Sequence, residues 1–286
     1  MSDATAATTG PATSYFEHRG NRVAYAEFGD PDGPPLVLAH GLLMNRRMYD
    51  RLAPDMAAFG YRVICIDLLG HGESDAPVDL NLYSMPAFGD QIAALLDHLE
   101  LERAVVGGTS LGANVALELG VKHGDRAQGL FVEMPVLDNA LVAVAIAFTP
   151  VLVGAQLGAP LLGALARVTR GIPRSHYLVD IGLDWARRDP QSSTRVLQGL
   201  LLGRTCPPRF EREAIETPAL IVGHPSDPIH PFSDSDDLTR EMPNGRLVDA
   251  NSIIEWRISP GRLNRELDRF LGEVWDRPAS VRVAAA

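Results

Sequence analysis

The feature that most constrains the fold is an alternation of apolar runs with helical patterns along most of the chain. Continuous, largely apolar runs occur at 34–41 (PPLVLAHG), 61–72 (YRVICIDLLGHG), 103–110 (RAVVGGTS) and 128–135 (QGLFVEMP). Such runs are typical of strands buried on both faces of a parallel sheet. Helical patterns lie between them and end at glycines or turns. We therefore expect an α/β fold, with a mostly parallel central sheet and helices on both of its faces.

The alternation stops after Pro135 and resumes beyond residue 210, where TPALIVGHPSD predicts another strand. The 286 residues are 46% hydrophobic and 22% charged, which suits one well-cored domain with an inserted segment. We expect a core formed by residues 15–135 and 211–275. The insertion between them, residues 136–210, shows helical or loop-like patterns without a convincing strand.

Both ends of the chain are expected to lie outside this fold. Residues 1–14 (MSDATAATTGPATS) are small and polar, and they lack the basic start and apolar stretch of a signal peptide. We expect them to be a disordered leader and residues 276–286 to be a flexible tail. Only two cysteines occur, Cys65 and Cys206, which favours a reducing compartment over secretion. The expected location is cytoplasmic.

Charge and cysteine spacing limit the partners of the protein. The formal net charge of -10 argues against nucleic acid, which is bound by basic surfaces. The two cysteines show no metal-ligand spacing, and we expect neither a metal nor another cofactor. A small apolar substrate fits the composition better. The sequence leaves open a homo-oligomer.

Residues 139–166 contain no charged side chain, which raises the question of a membrane span. Pro150, Pro160 and several glycines interrupt this run. A single span in mid-chain would also split one fold across a bilayer. We therefore expect no integral membrane span but two short apolar helices, either buried or lining a pocket.

A short motif between a predicted strand and a predicted helix indicates the chemistry. Gly108, Thr109, Ser110, Leu111 and Gly112 form the pattern G-x-S-x-G. A serine on such a strand-to-helix turn has a strained backbone, and small flanking residues let neighbouring elements pass close by. The N-terminus of the following helix offers N–H groups and a dipole that favour developing negative charge. Ser110 is therefore a candidate nucleophile, and Gly108 and Gly112 are expected to shape its turn.

These residues resemble the α/β-hydrolase superfamily, and the resemblance extends over most of the chain outside the ends and the insertion. AHGLLMNRRMYD (39–50) is similar to the segment that supplies an oxyanion-binding N–H, which implies Leu42 in that role beside the N–H of Leu111. DLLGHGESD (67–75) resembles the turn after the next strand. GHPSDPIHP (223–231) is similar to the stretch that carries the acid of the triad, which implies Asp227. The insertion sits where this superfamily places a helical cap.

The resemblance implies a catalytic histidine in the loop after the last strand, but that loop, residues 249–260 (DANSIIEWRISP), contains none. A serine without a base is a weak nucleophile near neutral pH. Six of the eight histidines fit structural roles better: His18, His40, His71, His98, His123 and His176. His224 could equally pack against the sheet edge. Glu255 is an alternative base, although Arg257 nearby would lower its basicity.

His230 is the best candidate for the base. Asp227-Pro228-Ile229-His230 is a favourable type I turn sequence, and such a turn would bring the carboxylate and the imidazole together. The equivalent position in the superfamily often faces the substrate pocket. His230 is therefore either the base or a polar pocket residue.

Two classes of function compete on this evidence. The first is a serine hydrolase of a carboxylic ester, lactone or thioester, in which Ser110 attacks and the N–H groups of Leu42 and Leu111 hold the oxyanion. The second is a ligand-binding protein or a lyase or cyclase whose hydrolytic triad has degenerated. The basic side chains in the second half of the insertion are expected to form a solvated face of a lid: Arg167, Arg170, Arg174, Arg187 and Arg188.

Overall fold

A mostly parallel sheet of eight strands forms the centre of the computed structural model, which describes residues 11–173 and 177–277. The strands are β1 (Ser14–His18), β2 (Asn21–Phe28), β3 (Pro35–Ala39), β4 (Arg62–Ile66), β5 (Ala104–Thr109), β6 (Ala127–Glu133), β7 (Ala219–Gly223) and β8 (Gly245–Asp249). Their order across the sheet is β1-β2-β4-β3-β5-β6-β7-β8. The pairs β1/β2 and β2/β4 are antiparallel, and all the other pairs are parallel. The predicted fold class is confirmed.

Helices follow or precede most strands, as the alternation of patterns predicts. They are α1 (Leu52–Ala58), α2 (Met85–His98), α3 (Leu111–Lys122), α4 (Leu141–Leu157), α5 (Ala159–Thr169), α6 (Tyr177–Ala186), α7 (Pro190–Leu202), α8 (Arg209–Arg212), α9 (Phe232–Glu241), α10 (Glu255–Ile258) and α11 (Gly261–Val274). Short 3-10 turns occur at 46–49, 80–83 and 124–126.

The sheet separates two apolar clusters, because successive side chains of a strand point to opposite faces. Val37, Ile64 and Val106 belong to a cluster that includes side chains of α2, α3 and α9. Their neighbours Leu36 and Val63 belong to a second cluster, with side chains of α1 and α11. Both faces of the central strands are therefore buried, which explains why these strands read as continuous apolar runs.

The first strand was not predicted from the sequence. β1 (SYFEH) has no continuous apolar run, and Phe16 is its one buried residue. It is fixed by antiparallel pairing with β2, in which Ser14 lies opposite Tyr25. Because β1 begins at Ser14, the expected leader overlaps the fold by that residue. Residues 1–10 of that leader and residues 278–286 of the expected tail lie outside the described residues.

The uncharged run forms two helices, α4 and α5, separated at Gly158. Pro150 does not end a helix, contrary to its expected role, because α4 continues through it. The break instead lies at Gly158, and Pro160 occupies the first turn of α5, where proline is tolerated. Over the described residues, no helix has the length and apolar character needed to cross a membrane. The described parts of the insertion contain helices α4 to α7, the first two residues of α8 and no strand.

Candidate active site

Ser110 lies on the sharp turn between β5 and α3. Its backbone has φ 55° and ψ -107°, in a region that residues other than glycine rarely adopt. The turn is held from both sides, because the Ser110 N–H donates to the carbonyl oxygen of Glu133 at 2.8 Å. The Ser110 carbonyl oxygen accepts the N–H of Asn114 at 3.1 Å. This geometry presents the side chain at the carboxyl edge of the sheet.

The two glycines of the motif are required by close packing against β3. A Cβ atom on Gly108 would lie 2.0 Å from the carbonyl oxygen of Ala39, and one on Gly112 would lie 1.9 Å from the same oxygen. No side chain fits at either position unless the backbone of β3 or α3 moves. Gly108 and Gly112 therefore let the turn and the start of α3 pass directly over β3, as the motif predicts.

Two consecutive hydrogen bonds join the side chains of Ser110, His230 and Asp227. His230 Nε2 lies 2.9 Å from Ser110 Oγ, and His230 Nδ1 lies 2.9 Å from Asp227 Oδ2. An ionised carboxylate can only accept, so Nδ1 carries the proton and Nε2 is free to accept from the serine hydroxyl. The structure thus brings together the three residues that were selected from the sequence as nucleophile, base and acid.

The Asp227 carboxylate is satisfied by donors from its own loop. Oδ1 accepts the backbone N–H groups of Ile229 at 2.8 Å and His230 at 3.0 Å. Burial alone would raise the pKa of Asp227, but the hydrogen bonds from the His230 ring and from these two N–H groups outweigh it and lower the pKa to about 2. The N–H of His230 is thus bonded to the side-chain oxygen of Asp227, as in an Asx turn, and the carboxylate and the imidazole meet as expected.

Leu42 and Leu111 both line the cavity that contains Ser110 and His230. Within the described chain, neither backbone N–H donates to a protein acceptor. Leu111 is the first residue of α3, where N–H groups lack partners inside the helix. Leu42 precedes Leu43, whose φ of 59° forms part of a tight turn closed by a 3.0 Å bond from Met44 N–H to the Gly41 carbonyl. Both N–H groups are thus available to a bound oxyanion.

Two buried histidines hold the loop that carries Leu42. His40 Nε2 accepts the N–H of Leu68 at 3.1 Å, and His71 Nε2 accepts the N–H of Leu43 at 3.4 Å. Burial lowers the pKa of His40 to about 4 and that of His71 well below its usual value, so both rings are neutral acceptors. Their contacts match the loop-shaping roles expected for them.

An apolar cavity of about 80 Å³ adjoins Ser110 and His230. Its remaining walls come from the oxyanion loop, α2, α3 and the helices of the insertion: Leu42, Met85, Leu111, Asn114, Val136, Val144, Phe148, Leu197, Leu200, Leu201, Thr205 and Ile229. Most of these side chains are aliphatic or aromatic. The cavity therefore suits an apolar group attached to the carbon that Ser110 would attack.

Comparisons with known proteins agree with this architecture. Residues 34–150 match the family model described as alpha/beta hydrolase fold. The enol-lactonase structure from Burkholderia xenovorans superposes with a TM-score of 0.73 at 20% identity, covering 90% of this chain and 99% of that one. Residues 34–150 are thus similar to the α/β-hydrolase family, and the chain has the α/β-hydrolase fold.

Two further proteins illustrate how far the similarity of this chain extends. The AB hydrolase superfamily protein YisY of Bacillus subtilis is 27% identical over 241 residues, covering 77% of this chain and 84% of that protein. A haloalkane dehalogenase of Mycobacterium marinum is 33% identical over 119 residues, covering 42% of this chain and 40% of that protein. The chain therefore spans less than half of the length of that dehalogenase.

The loop that lacks the expected histidine contributes a mostly buried arginine, Arg257, whose side chain is 14% exposed. The Arg257 guanidinium donates to the Glu133 carboxylate at 3.0 Å, and Glu133 also accepts from the Thr109 hydroxyl. Burial alone would raise the pKa of Glu133, but Arg257, His224 and the Thr109 hydroxyl together outweigh it and lower the pKa to about 2. Thr109 precedes Ser110 in the chain, and the Glu133 carbonyl oxygen accepts the Ser110 N–H, so the loop that carries Arg257 supports the nucleophile turn.

The other base candidates are engaged elsewhere in the α/β-hydrolase core. Glu255 pairs with Arg262 at 2.8 Å and not with Arg257, contrary to our expectation, and Arg262 is the main reason that its pKa is lowered. His224 is buried; its Nδ1 lies 3.0 Å from the Ser252 carbonyl oxygen, and its Nε2 lies 3.3 Å from Glu133 Oε1. His98 contacts Tyr25. His176 lies outside the described residues.

Sequence reasoning did not single out Asn114, one turn beyond Ser110 in α3. Its side-chain amide donates to the carbonyl oxygens of Val136 and Thr205, both at 2.7 Å, and its Oδ1 accepts the Val136 N–H at 3.1 Å. Asn114 therefore joins the nucleophile helix to both ends of the helical segment that lies over it. A polar side chain in the otherwise apolar run GANVAL (112–117) was the available signal.

Proposed function

We propose that this protein is a serine hydrolase that cleaves a carboxylic ester, lactone or thioester with an apolar acyl group. The hydrogen-bonded line from Ser110 through His230 to Asp227 carries the proposal, because it supplies an activated nucleophile, a base and an orienting acid. The loop after β8 contains no histidine, but in this proposal Ser110 still has a base. In this proposal the base lies on the loop of the acid itself.

The geometry supports a two-step reaction. His230 Nε2 takes the hydroxyl proton as Ser110 Oγ bonds to the substrate carbonyl carbon, and the N–H groups of Leu42 and Leu111 stabilise the resulting oxyanion. The tetrahedral species collapses when His230 returns that proton to the departing alkoxide or thiolate. Water, deprotonated by His230, then attacks the acyl-enzyme, and the carboxylic acid leaves as Ser110 regains its proton.

We further propose that residues 136–210 act as a helical cap over this site. Val144 and Phe148 of α4 and Leu197 of α7 provide apolar walls of the cavity beside Ser110. Asp234 on α9 holds the segment that leads into α4. Its carboxylate accepts the N–H groups of Leu137 at 2.7 Å and Ala140 at 3.1 Å. A cap held in this way would exclude water from the reacting acyl group.

Labelling with a fluorophosphonate tests the proposed function without knowledge of the natural substrate. Intact-mass analysis should show one adduct, and peptide analysis should place it on Ser110. The Ser110→Ala variant, purified in parallel, should remain unlabelled. If the wild-type protein forms no adduct and turns over no ester, the alternative of a ligand-binding protein or a lyase or cyclase on this fold takes precedence.

A further inference from the structure

Helix α4 is apolar on every side although one side faces solvent. Val144 and Phe148 point into the cavity beside Ser110. On other positions of the helix, the side chain of Ile146 is 70% exposed and that of Val153 is 44% exposed. A helix that is hydrophobic all round is normally buried all round, in a core or a membrane. The outward side of α4 is therefore apolar but is not covered by other apolar groups.

Helix α5, the next helix along the chain, also carries an exposed apolar stripe. Leu161 is 76% exposed, Leu165 is 44% exposed and Val168 is 72% exposed. Their spacing of four and three residues places them on one face of the helix, while Ala166 and Thr169 are buried on another face. The exposed apolar side chains of these two consecutive helices are together called the α4–α5 face: Ile146, Val153, Leu161, Leu165 and Val168. Exposed apolar surface of this extent indicates a binding surface.

The charge around this face is opposite to that of the whole chain. The chain carries a formal net charge of -10, yet residues 139–179 contain no aspartate or glutamate. Arg167 and Arg170 lie beside the stripe and are exposed. Neither forms an ion pair with a carboxylate of the described chain. An apolar face with unpaired arginines at its edge suits a partner that offers both apolar groups and negative charge.

We propose that the α4–α5 face docks on the surface of an anionic lipid bilayer. The apolar side chains enter the boundary between headgroups and acyl chains, and Arg167 and Arg170 contact lipid phosphates. The helices lie along the surface, since no helix of the described residues is long and apolar enough to cross it. The inference is independent of the proposed hydrolysis.

A second copy of this chain fits the same face less well. A two-fold contact brings the same surface of both copies together, so Arg167 and Arg170 would meet their own counterparts. Residues 139–179 offer no carboxylate to compensate these charges. An anionic bilayer satisfies both the apolar stripe and the arginines.

Vesicle flotation with the full chain tests the proposal. The protein should float with vesicles of phosphatidylcholine and phosphatidylglycerol, and much less with phosphatidylcholine alone. Leu161→Asp with Val168→Asp should lower the partition coefficient at least tenfold. Arg167→Ala and Arg170→Ala should each lower it about fivefold, and only at low salt. Val78→Asp is the matched control, because Val78 is 77% exposed outside this face, and it should bind as the wild type does.

The same variants separate the proposal from its alternatives. Leu161 and Val168 do not line the cavity beside Ser110, so their aspartate variants should keep the wild-type activity on dissolved esters. The proposal is overturned if the wild type does not float with the anionic vesicles, or if the double aspartate variant floats equally well. It is also overturned if light scattering shows a dimer that the double variant dissociates while vesicle binding is absent.

Discussion

His230 Nε2 lies 2.9 Å from Ser110 Oγ, although 120 residues separate the two in the sequence. β5 and α3 position the serine, and the loop between β7 and α9 positions the histidine. Only β6 lies between β5 and β7 in the sheet, and the C-terminal ends of both strands lie at the same edge. The sheet order therefore allows a short loop after β7 to supply both the acid and the base that we propose.

Replacing Ser110 by alanine should remove activity with little effect on folding. We expect kcat on a dissolved ester to fall by about 10⁴–10⁶-fold, as for a nucleophile that acts within a triad. The melting temperature should change little, because one hydroxyl is lost from a half-buried side chain. Undiminished ester turnover by the purified variant would contradict the role of Ser110.

Asp227→Asn should impair catalysis strongly while it preserves the shape of the loop. The amide cannot fix the proton on His230 Nδ1, nor can it stabilise the imidazolium, so kcat should fall by about 10⁴-fold. Because the pKa of Asp227 is about 2, the wild-type carboxylate stays ionised through the mildly acidic range. A variant with kcat within tenfold of the wild type, measured by initial rates, would show that Asp227 does not orient the base.

Substitution within the cavity should change the preferred acyl length. For the wild type, kcat/KM should rise about threefold to fourfold per added methylene from acetate upward until the walls are met. Phe148→Ala should move the optimum to longer chains, because Phe148 lines the cavity. Ile146→Ala, on the exposed part of α4, serves as the control and should leave the profile unchanged. Equal kcat/KM values across the series would argue against an apolar acyl pocket.

Glu133→Gln should destabilise the protein in a pH-dependent way. The folded pKa of Glu133 is about 2, below the usual 4.5, so its charge contributes stability above pH 4.5 that is lost as the pH falls towards 2. At pH 7 the variant leaves Arg257 buried without its carboxylate, which should cost about 3–5 kcal/mol of unfolding free energy.

Denaturant titrations between neutral and acidic pH measure this difference in unfolding free energy. The difference in unfolding free energy between the wild type and Glu133→Gln should become smaller as the pH falls below 4.5. Glu273→Gln is the control, because its ion pair with Arg246 is largely exposed and should contribute little. If this difference in unfolding free energy stays constant with pH, the charge of Glu133 is not stabilising.

Local patterns in the sequence predicted the parts of the fold and site that depend on neighbouring residues. The buried strands are continuous apolar runs, and G-x-S-x-G lies within a few residues of Ser110. Asp227 and His230 are three residues apart, so their contact could be argued from turn chemistry. β1 escaped prediction because it is stabilised by pairing with β2 and not by its own composition.

The support beneath Ser110 could not be predicted in this way. Arg257 and Glu133 are 124 residues apart, and their pairing depends on how the loop after β8 folds back on the sheet. The one local signal was a glutamate within the apolar run of β6, because a buried charge requires a partner. That signal indicates the need for a cation but not which arginine supplies it.

The rate at which a fluorophosphonate labels Ser110 tests most directly whether His230 is the base. His230→Ala should slow labelling by about 10²–10⁴-fold. His123→Ala should not slow it, although His123 also contacts an aspartate, Asp90, at 2.9 Å. Circular dichroism should show both variants folded. Labelling of folded His230→Ala at the wild-type rate would show that Ser110 reacts without this histidine and would contradict the proposed mechanism.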